Sequence, residues 1–188
     1  MNTLMHICCA PCANRPIAQL RQEGHSVTGF WFNPNIHPYT EYQARKSTLE
    51  RYAKEIGMKL IIGGRYDLRS FITHVADNID GRCAYCYRVR MEETAKYAAE
   101  HGFDSFTTSL LISPYQNHEA ICAVARAIGG EYGVEFLYRD FRPLFREGQQ
   151  FARDHGFYMQ KYCGCVFSEE ERYAKAIARD MQEPEKHL

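Results

Sequence analysis

Five short apolar runs, separated by longer stretches of helical period, limit most sharply how this chain can fold. They are Thr3–Ile7, Ser26–Phe32, Met58–Ile62, Phe103–Thr108 and Val134–Tyr138. Strands that alternate with helices build a mostly parallel sheet flanked by helices, a Rossmann-like α/β layering. Leu49, Tyr52, Ala53 and Ile56 recur at i, i+3, i+4 and i+7 and predict one buried helix face; Ile121, Val124, Ala125 and Ile128 repeat the spacing. Thr40 with Gln43, and Ser168 with Glu171, read as capping boxes that start helices. Gly24, Gly57 and Gly102 fall where helices should stop before the next strand. The 188 residues suit a single α/β domain over 1–188, with fraying expected only from Glu183 to Leu188.

Formal net charge is zero, so no global field draws the molecule to nucleic acid, and a polyanion must meet a local patch. No apolar run approaches the roughly 18 residues of a membrane span, and no membrane partner is expected. The opening Met1-Asn2-Thr3-Leu4-Met5-His6-Ile7 lacks the pattern of a secretion signal, so a cytoplasmic location is expected. In a reducing compartment, eight cysteines point to metal or redox chemistry before a disulfide framework.

Seven of those eight cysteines form three clusters: Cys8-Cys9-Ala10-Pro11-Cys12, Cys83-Ala84-Tyr85-Cys86 and Cys163-Gly164-Cys165. Core thiols scatter; thiolates gather to share a metal or exchange electrons. Cys8 and Cys9 follow the first strand, at the carboxyl edge where a parallel sheet leaves its crevice. Side by side in a strand they would face opposite ways, so the turn begun by Ala10-Pro11 must redirect the backbone. The next helix, with Asn14 as its expected cap, would favour thiolate through its dipole. Cys83 and Cys86, at i and i+3 near the start of a helix running towards His101, share a face. Together these four are ligands for one iron–sulfur cluster or one tetrahedral zinc, and the adjacent Cys-Cys tilts the choice towards a cluster.

Cys163-Gly164-Cys165 reads as a pair cycling between dithiol and disulfide, or as further metal ligands, ahead of a structural turn with incidental cysteines. Cys12 is a fifth ligand, a ligand of a second metal or a spare thiol, with a role at the site preferred. Cys122, alone among Ile121, Ala123 and Val124, is a packed core thiol. Asn33 to Tyr39 reads as an ordinary proline-containing turn, and Ser109 to Asn117 follows the fourth strand in similar fashion. Arg139, Arg142 and Arg146, interleaved with Phe141 and Phe145, suit phosphates and unstacked bases, or equally a solvated surface. The histidines show no ligand spacing.

With these motifs assembled, the chain resembles the epoxyqueuosine reductases of the QueH type. The resemblance rests on His6-Ile7-Cys8-Cys9-Ala10-Pro11, Phe32-Asn33-Pro34-Asn35-Ile36, Glu41-Tyr42 and Cys83-Ala84-Tyr85-Cys86. It continues through Ser105-Phe106-Thr107-Thr108-Ser109-Leu110-Leu111, Ser113-Pro114 and Tyr162-Cys163-Gly164-Cys165-Val166-Phe167-Ser168. It implies reduction of epoxyqueuosine at the wobble position of transfer RNA to queuosine, without cobalamin. It further implies a 4Fe–4S cluster on Cys8, Cys9, Cys83 and Cys86, and a redox-active pair at Cys163 and Cys165. The family also holds a separate iron beside the cluster, for which Cys12 is the candidate ligand here; some members carry Asp at that position. The implied partners are transfer RNA bearing epoxyqueuosine and an electron donor that the sequence does not identify.

Two other classes stay open on the residues alone. A cluster-dependent transfer RNA thiolase on a similar scaffold should carry a glycine-rich phosphate loop after the first strand, where this chain has none. A non-catalytic, zinc-stabilised nucleic-acid-binding module would need only the metal ligands.

Overall fold

The computed structural model describes residues 1–182; the fraying expected over 183–188 lies outside the described residues. Five strands, β1 (Asn2–His6), β2 (Ser26–Trp31), β3 (Leu60–Ile62), β4 (Ser105–Thr108) and β5 (Glu135–Phe136), form one sheet in the order β3-β2-β1-β4-β5. Every pairing is parallel, with His6 opposite Phe30 on one side and Thr108 on the other. The sheet is therefore wholly parallel, where the sequence indicated a mostly parallel one. Helices α1 (Ala10–Gln22), α2 (Tyr39–Glu55), α3 (Leu68–Val75), α4 (Arg82–Glu100) and α5 (His118–Tyr132) make the crossovers, followed by α6 (Phe145–Asp154) and α7 (Val166–Asp180).

Leu4, Met5, Ile7, Trp31 and Phe106 are fully or almost fully buried, as a central parallel sheet covered by helices requires. The expected helix faces are the ones that pack: Leu49, Tyr52 and Ala53 on α2, and Ile121, Ala125 and Ile128 on α5, are buried. Cys122 sits in the same core. Buried strand hydroxyls are paired; Thr3 Oγ1 and Ser105 Oγ lie 3.0 Å apart across β1 and β4. Gly24, Gly57 and Gly102 follow the ends of α1, α2 and α4 with φ of 87°, 60° and 68°. Among the described residues, no helix is long and apolar enough to cross a membrane.

Three helix starts differ from expectation. Helix α1 begins at Ala10 with Cys9 as its N-cap, because Pro11 is well placed in a first turn, so Asn14 lies inside the helix. Its Nδ2 donates to the carbonyls of Ala10, Pro11 and Gly148, tying α1 to α6. Helix α2 begins at Tyr39, behind the cis His37–Pro38 peptide, with Pro38 as N-cap in place of Thr40. Helix α7 begins at Val166 with Cys165 as N-cap. Ser168 instead accepts from the Gly164 N–H at 3.2 Å and donates to the Cys165 carbonyl at 2.7 Å.

Candidate active site

Strand order reverses between β1 and β4, and the carboxyl ends of those strands open the crevice where parallel sheets bind ligands. β1 stops at His6, and the chain passes from strand to helix within three residues. That change turns three sulfurs the same way: the Sγ atoms of Cys8, Cys9 and Cys12 are buried and lie within 4.8 Å of one another. The opposed geometry of a strand never applies to Cys8 and Cys9, whose sulfurs are 3.8 Å apart. From the turn after β4, Ser109 Oγ accepts the Cys8 N–H at 3.2 Å.

His6 supports this junction from below. Its Nδ1 is 3.0 Å from Thr108 Oγ1, and its Nε2 is 3.2 Å from the Phe32 carbonyl oxygen. Burial, aided by the Arg90 charge, pushes its pKa down to about 3, so the imidazole is neutral. Hydrogen bonds from Cys12 and Cys9 hold the Cys8 thiol well below the usual thiol range, with smaller help from the Arg45 charge. Cys9 is raised, chiefly by burial, and Cys12 is raised, chiefly by its hydrogen bond to Cys8. The three sulfurs thus form one hydrogen-bonded group in which Cys8 is the most acidic thiol.

The compensating cation is Arg45, which is only 2% exposed. Its Nε donates to Glu41 Oε1 at 2.7 Å, Nη1 to the Cys163 carbonyl at 2.8 Å and Nη2 to the Tyr162 carbonyl at 2.9 Å. One guanidinium therefore anchors the Cys163–Cys165 loop and puts positive charge near Cys8 and Cys9. The Asn33–Tyr39 segment, an ordinary turn by composition, is the seat of that loop. His37 N–H donates to the Gly164 carbonyl at 2.7 Å, and Tyr162 O–H donates to the His37 carbonyl at 2.7 Å. Gly164 has φ +155°, and a Cβ there would stand 3.2 Å from Ile36 Cγ1.

Cys83 and Cys86 occupy the first turns of α4, Cys83 exposed and Cys86 buried. Cys86 and Cys165 pack in a small apolar cluster with Phe71 and Val75. Burial pushes the Cys86 thiol up to about 12, with Cys163 and Cys165 adding to the rise. The structure thus brings Cys86 together with Cys165 and gathers Cys8, Cys9 and Cys12. Cys83 and Cys86 lie outside the 4.8 Å group.

A cavity of about 750 Å³ joins the first and last clusters, with Cys8, Cys12, Cys163, Arg45, Gln116 and Gln160 in its wall. Gln160 Nε2 donates to Cys9 Sγ at 2.9 Å and Cys12 Sγ at 3.4 Å, and Gln116 Nε2 donates to Cys163 Sγ at 3.1 Å. Soft sulfur donors with amide N–H groups aimed at them fit a sulfur-ligated metal or iron–sulfur group. Arg45, Gln116 and Gln160 escaped sequence reasoning. Arg45 sits four residues after Glu41 on a helix, the spacing of a surface ion pair, and neither glutamine belongs to a motif. The basic run the sequence did single out is largely neutralised: Arg139 pairs with Glu23 at 2.9 Å and Arg142 with Asp140 at 2.7 Å.

The chain is similar to known proteins over most of its length. The family model described as "Epoxyqueuosine reductase QueH" matches residues 3–171. The protein of that name from Dehalococcoides mccartyi is 39% identical over 172 residues, covering 92% of this chain and 94% of the relative. Its namesake from Thermotoga maritima is 35% identical over 181 residues, covering 92% of both. Among solved structures, the U34-tRNA thiolase NcsA of Methanococcus maripaludis, solved with its [4Fe-4S] cluster, superposes with a TM-score of 0.53 at 14% identity. That match covers 98% of this chain and 67% of the thiolase. A predicted subunit of a tRNA methyltransferase from Methanocaldococcus jannaschii gives a TM-score of 0.52 at 13% identity, covering 84% of this chain and 89% of its own. At such identities the structural likenesses speak to the fold alone.

Proposed function

This chain belongs to the epoxyqueuosine reductase QueH family, and on that premise we propose that it reduces epoxyqueuosine at the wobble position of transfer RNA to queuosine, without cobalamin. The carrying observation is one cavity of about 750 Å³ walled by Cys8 and Cys12 from the first strand–helix turn and by Cys163 from the far end of the chain. That volume suits a single nucleoside.

The proposed cofactor is a 4Fe–4S cluster on Cys8, Cys9, Cys83 and Cys86, with an additional iron at Cys12; such centres supply electrons one at a time. The whole chain, 1–188, acts as one iron–sulfur domain, and its thiol-rich cavity suits the reducing cytoplasm. The Cys163/Cys165 dithiol is the redox pair in this reading. Its oxidation to a disulfide releases two electrons and two protons. The substrate's two epoxide C–O bonds break, a C=C bond forms, and the oxygen leaves as water. Dithiol and epoxide therefore balance in electrons and protons, and an external donor, still to be identified, returns the disulfide to dithiol. Arg45 holds the loop that carries the pair, and the Gln116 amide orients Cys163 Sγ at the cavity wall.

The test is anaerobic incubation of iron- and sulfide-reconstituted protein with reductant and epoxyqueuosine-bearing transfer RNA, followed by nucleoside mass analysis. Queuosine should form with the wild type and fall at least a hundredfold with Cys163→Ser or Cys165→Ser. Wild-type turnover in both variants would end the dithiol role. A thiolase reading is disfavoured because Cys8-Cys9-Ala10-Pro11-Cys12 occupies the place of the glycine-rich phosphate loop that nucleotide activation needs.

A further inference from the structure

The cavity mouth has two rims of different chemistry. On one, Tyr115 is 83% exposed and meets Phe145 edge-on, with ring centroids 5.7 Å apart; both line the cavity. An exposed tyrosine held by a second ring is a ready stacking platform, and its exposure is unexplained by packing. On the other rim, Lys161 and Arg172 line the same cavity.

Arg172 begins a stripe. On α7, Arg172, Lys175 and Arg179 fall at i, i+3 and i+7, so they share one face over roughly 10 Å of helix axis. All three are exposed, and none has an ion-pair partner among the described residues. The nearby Glu171 is committed to Arg82. Helix α7 has no fully buried residue; its Phe167 packs on the Cys86–Cys165 cluster, while the three basic residues are exposed and outside that contact.

We infer that the two rims form one RNA-docking surface: Arg172, Lys175 and Arg179, with Lys161, meet backbone phosphates beside the nucleoside in the cavity, and Tyr115 stacks on a base, backed by Phe145. The reading rests on the proposed activity on transfer RNA and names the part of the protein that grips it. In a chain of zero net charge, a local stripe without ion-pair partners among the described residues, running into the cavity, is where phosphate contacts concentrate. Unstacked bases on aromatic rings are how single-stranded loops are held.

The test is binding of an anticodon stem–loop RNA carrying epoxyqueuosine, measured by fluorescence anisotropy over a salt series with the reconstituted protein. Arg172→Ala/Lys175→Ala/Arg179→Ala should weaken binding at least tenfold and reduce the salt slope by about 2, at roughly 0.7 per phosphate lost. Its iron content and melting temperature should stay at wild type. Tyr115→Ala should weaken binding about tenfold with the slope unchanged, Tyr115→Phe should restore it, and Lys96→Ala, on the exposed face of α4, should match wild type. Wild-type affinity and slope in the triple variant, or equal weakening by Lys96→Ala, overturns the surface. If the wild type binds the RNA through these residues yet leaves the epoxide intact, the surface stands and the proposed activity fails.

Discussion

Arg45 Nη1 donates to the carbonyl oxygen of Cys163 at 2.8 Å, joining residues 118 positions apart. The same guanidinium is bound to Glu41, which also accepts from Tyr158 O–H. A buried charge with fixed partners on a cysteine loop is both a structural anchor and an electrostatic one.

Arg45→Leu should destabilise the fold by about 3–5 kcal/mol, because it leaves Glu41 buried and unpaired. Adding Glu41→Gln should recover part of that loss. Denaturant unfolding checks both, and alkylation of Cys163 should accelerate several-fold once its carbonyl is released. Unchanged alkylation would show that the loop is held by other contacts.

Gly164→Ala should cost roughly 1–3 kcal/mol, from a backbone conformation that L-residues avoid and a Cβ pressed on Ile36. Thermal unfolding measures it, and queuosine formation should fall as Cys163 and Cys165 shift. A variant as stable and active as wild type would mean that the loop relaxes freely.

His37 is fully buried, its ring 5.0 Å from that of Phe71, and burial pushes its pKa down to about 4. The unfolded chain takes up this proton near pH 6.5 while the folded chain refuses it until about pH 4. Stability should therefore rise with pH across that window and be lost on acidification, by up to roughly 3 kcal/mol from this group. His37→Gln should reduce the slope between these limits in urea unfolding, leaving the part that the buried His6 contributes over the same window. An identical slope would assign the proton to another group.

Much of the architecture was legible because apolar runs and helical periods record burial directly. Each expected strand contains the observed one or overlaps it, although β5 shrinks to Glu135–Phe136 at the sheet edge. The helix starts were less legible, because Thr40 and Ser168 fit a capping pattern that Pro38 and Cys165 pre-empt two and three residues earlier. At the site, clustering exposed the cysteines. It could not reveal Arg45, whose partners come from the far end of the chain, nor the role of Asn33–Tyr39 as the seat of Gly164. Long-range partners of this kind leave no local period.

Sulfurs from the first strand–helix turn and from the start of α4 are proposed to serve one iron–sulfur centre. The most direct measurement is iron, acid-labile sulfide and visible absorption of anaerobically reconstituted protein, for the wild type, Cys83→Ser, Cys86→Ser and the core control Cys122→Ser. The wild type and the control should hold roughly four irons and four sulfides for the 4Fe–4S centre, with about one further iron for the site at Cys12, and the absorption should be bleached in the other two. Full iron, sulfide and colour in Cys83→Ser and Cys86→Ser would contradict the shared centre.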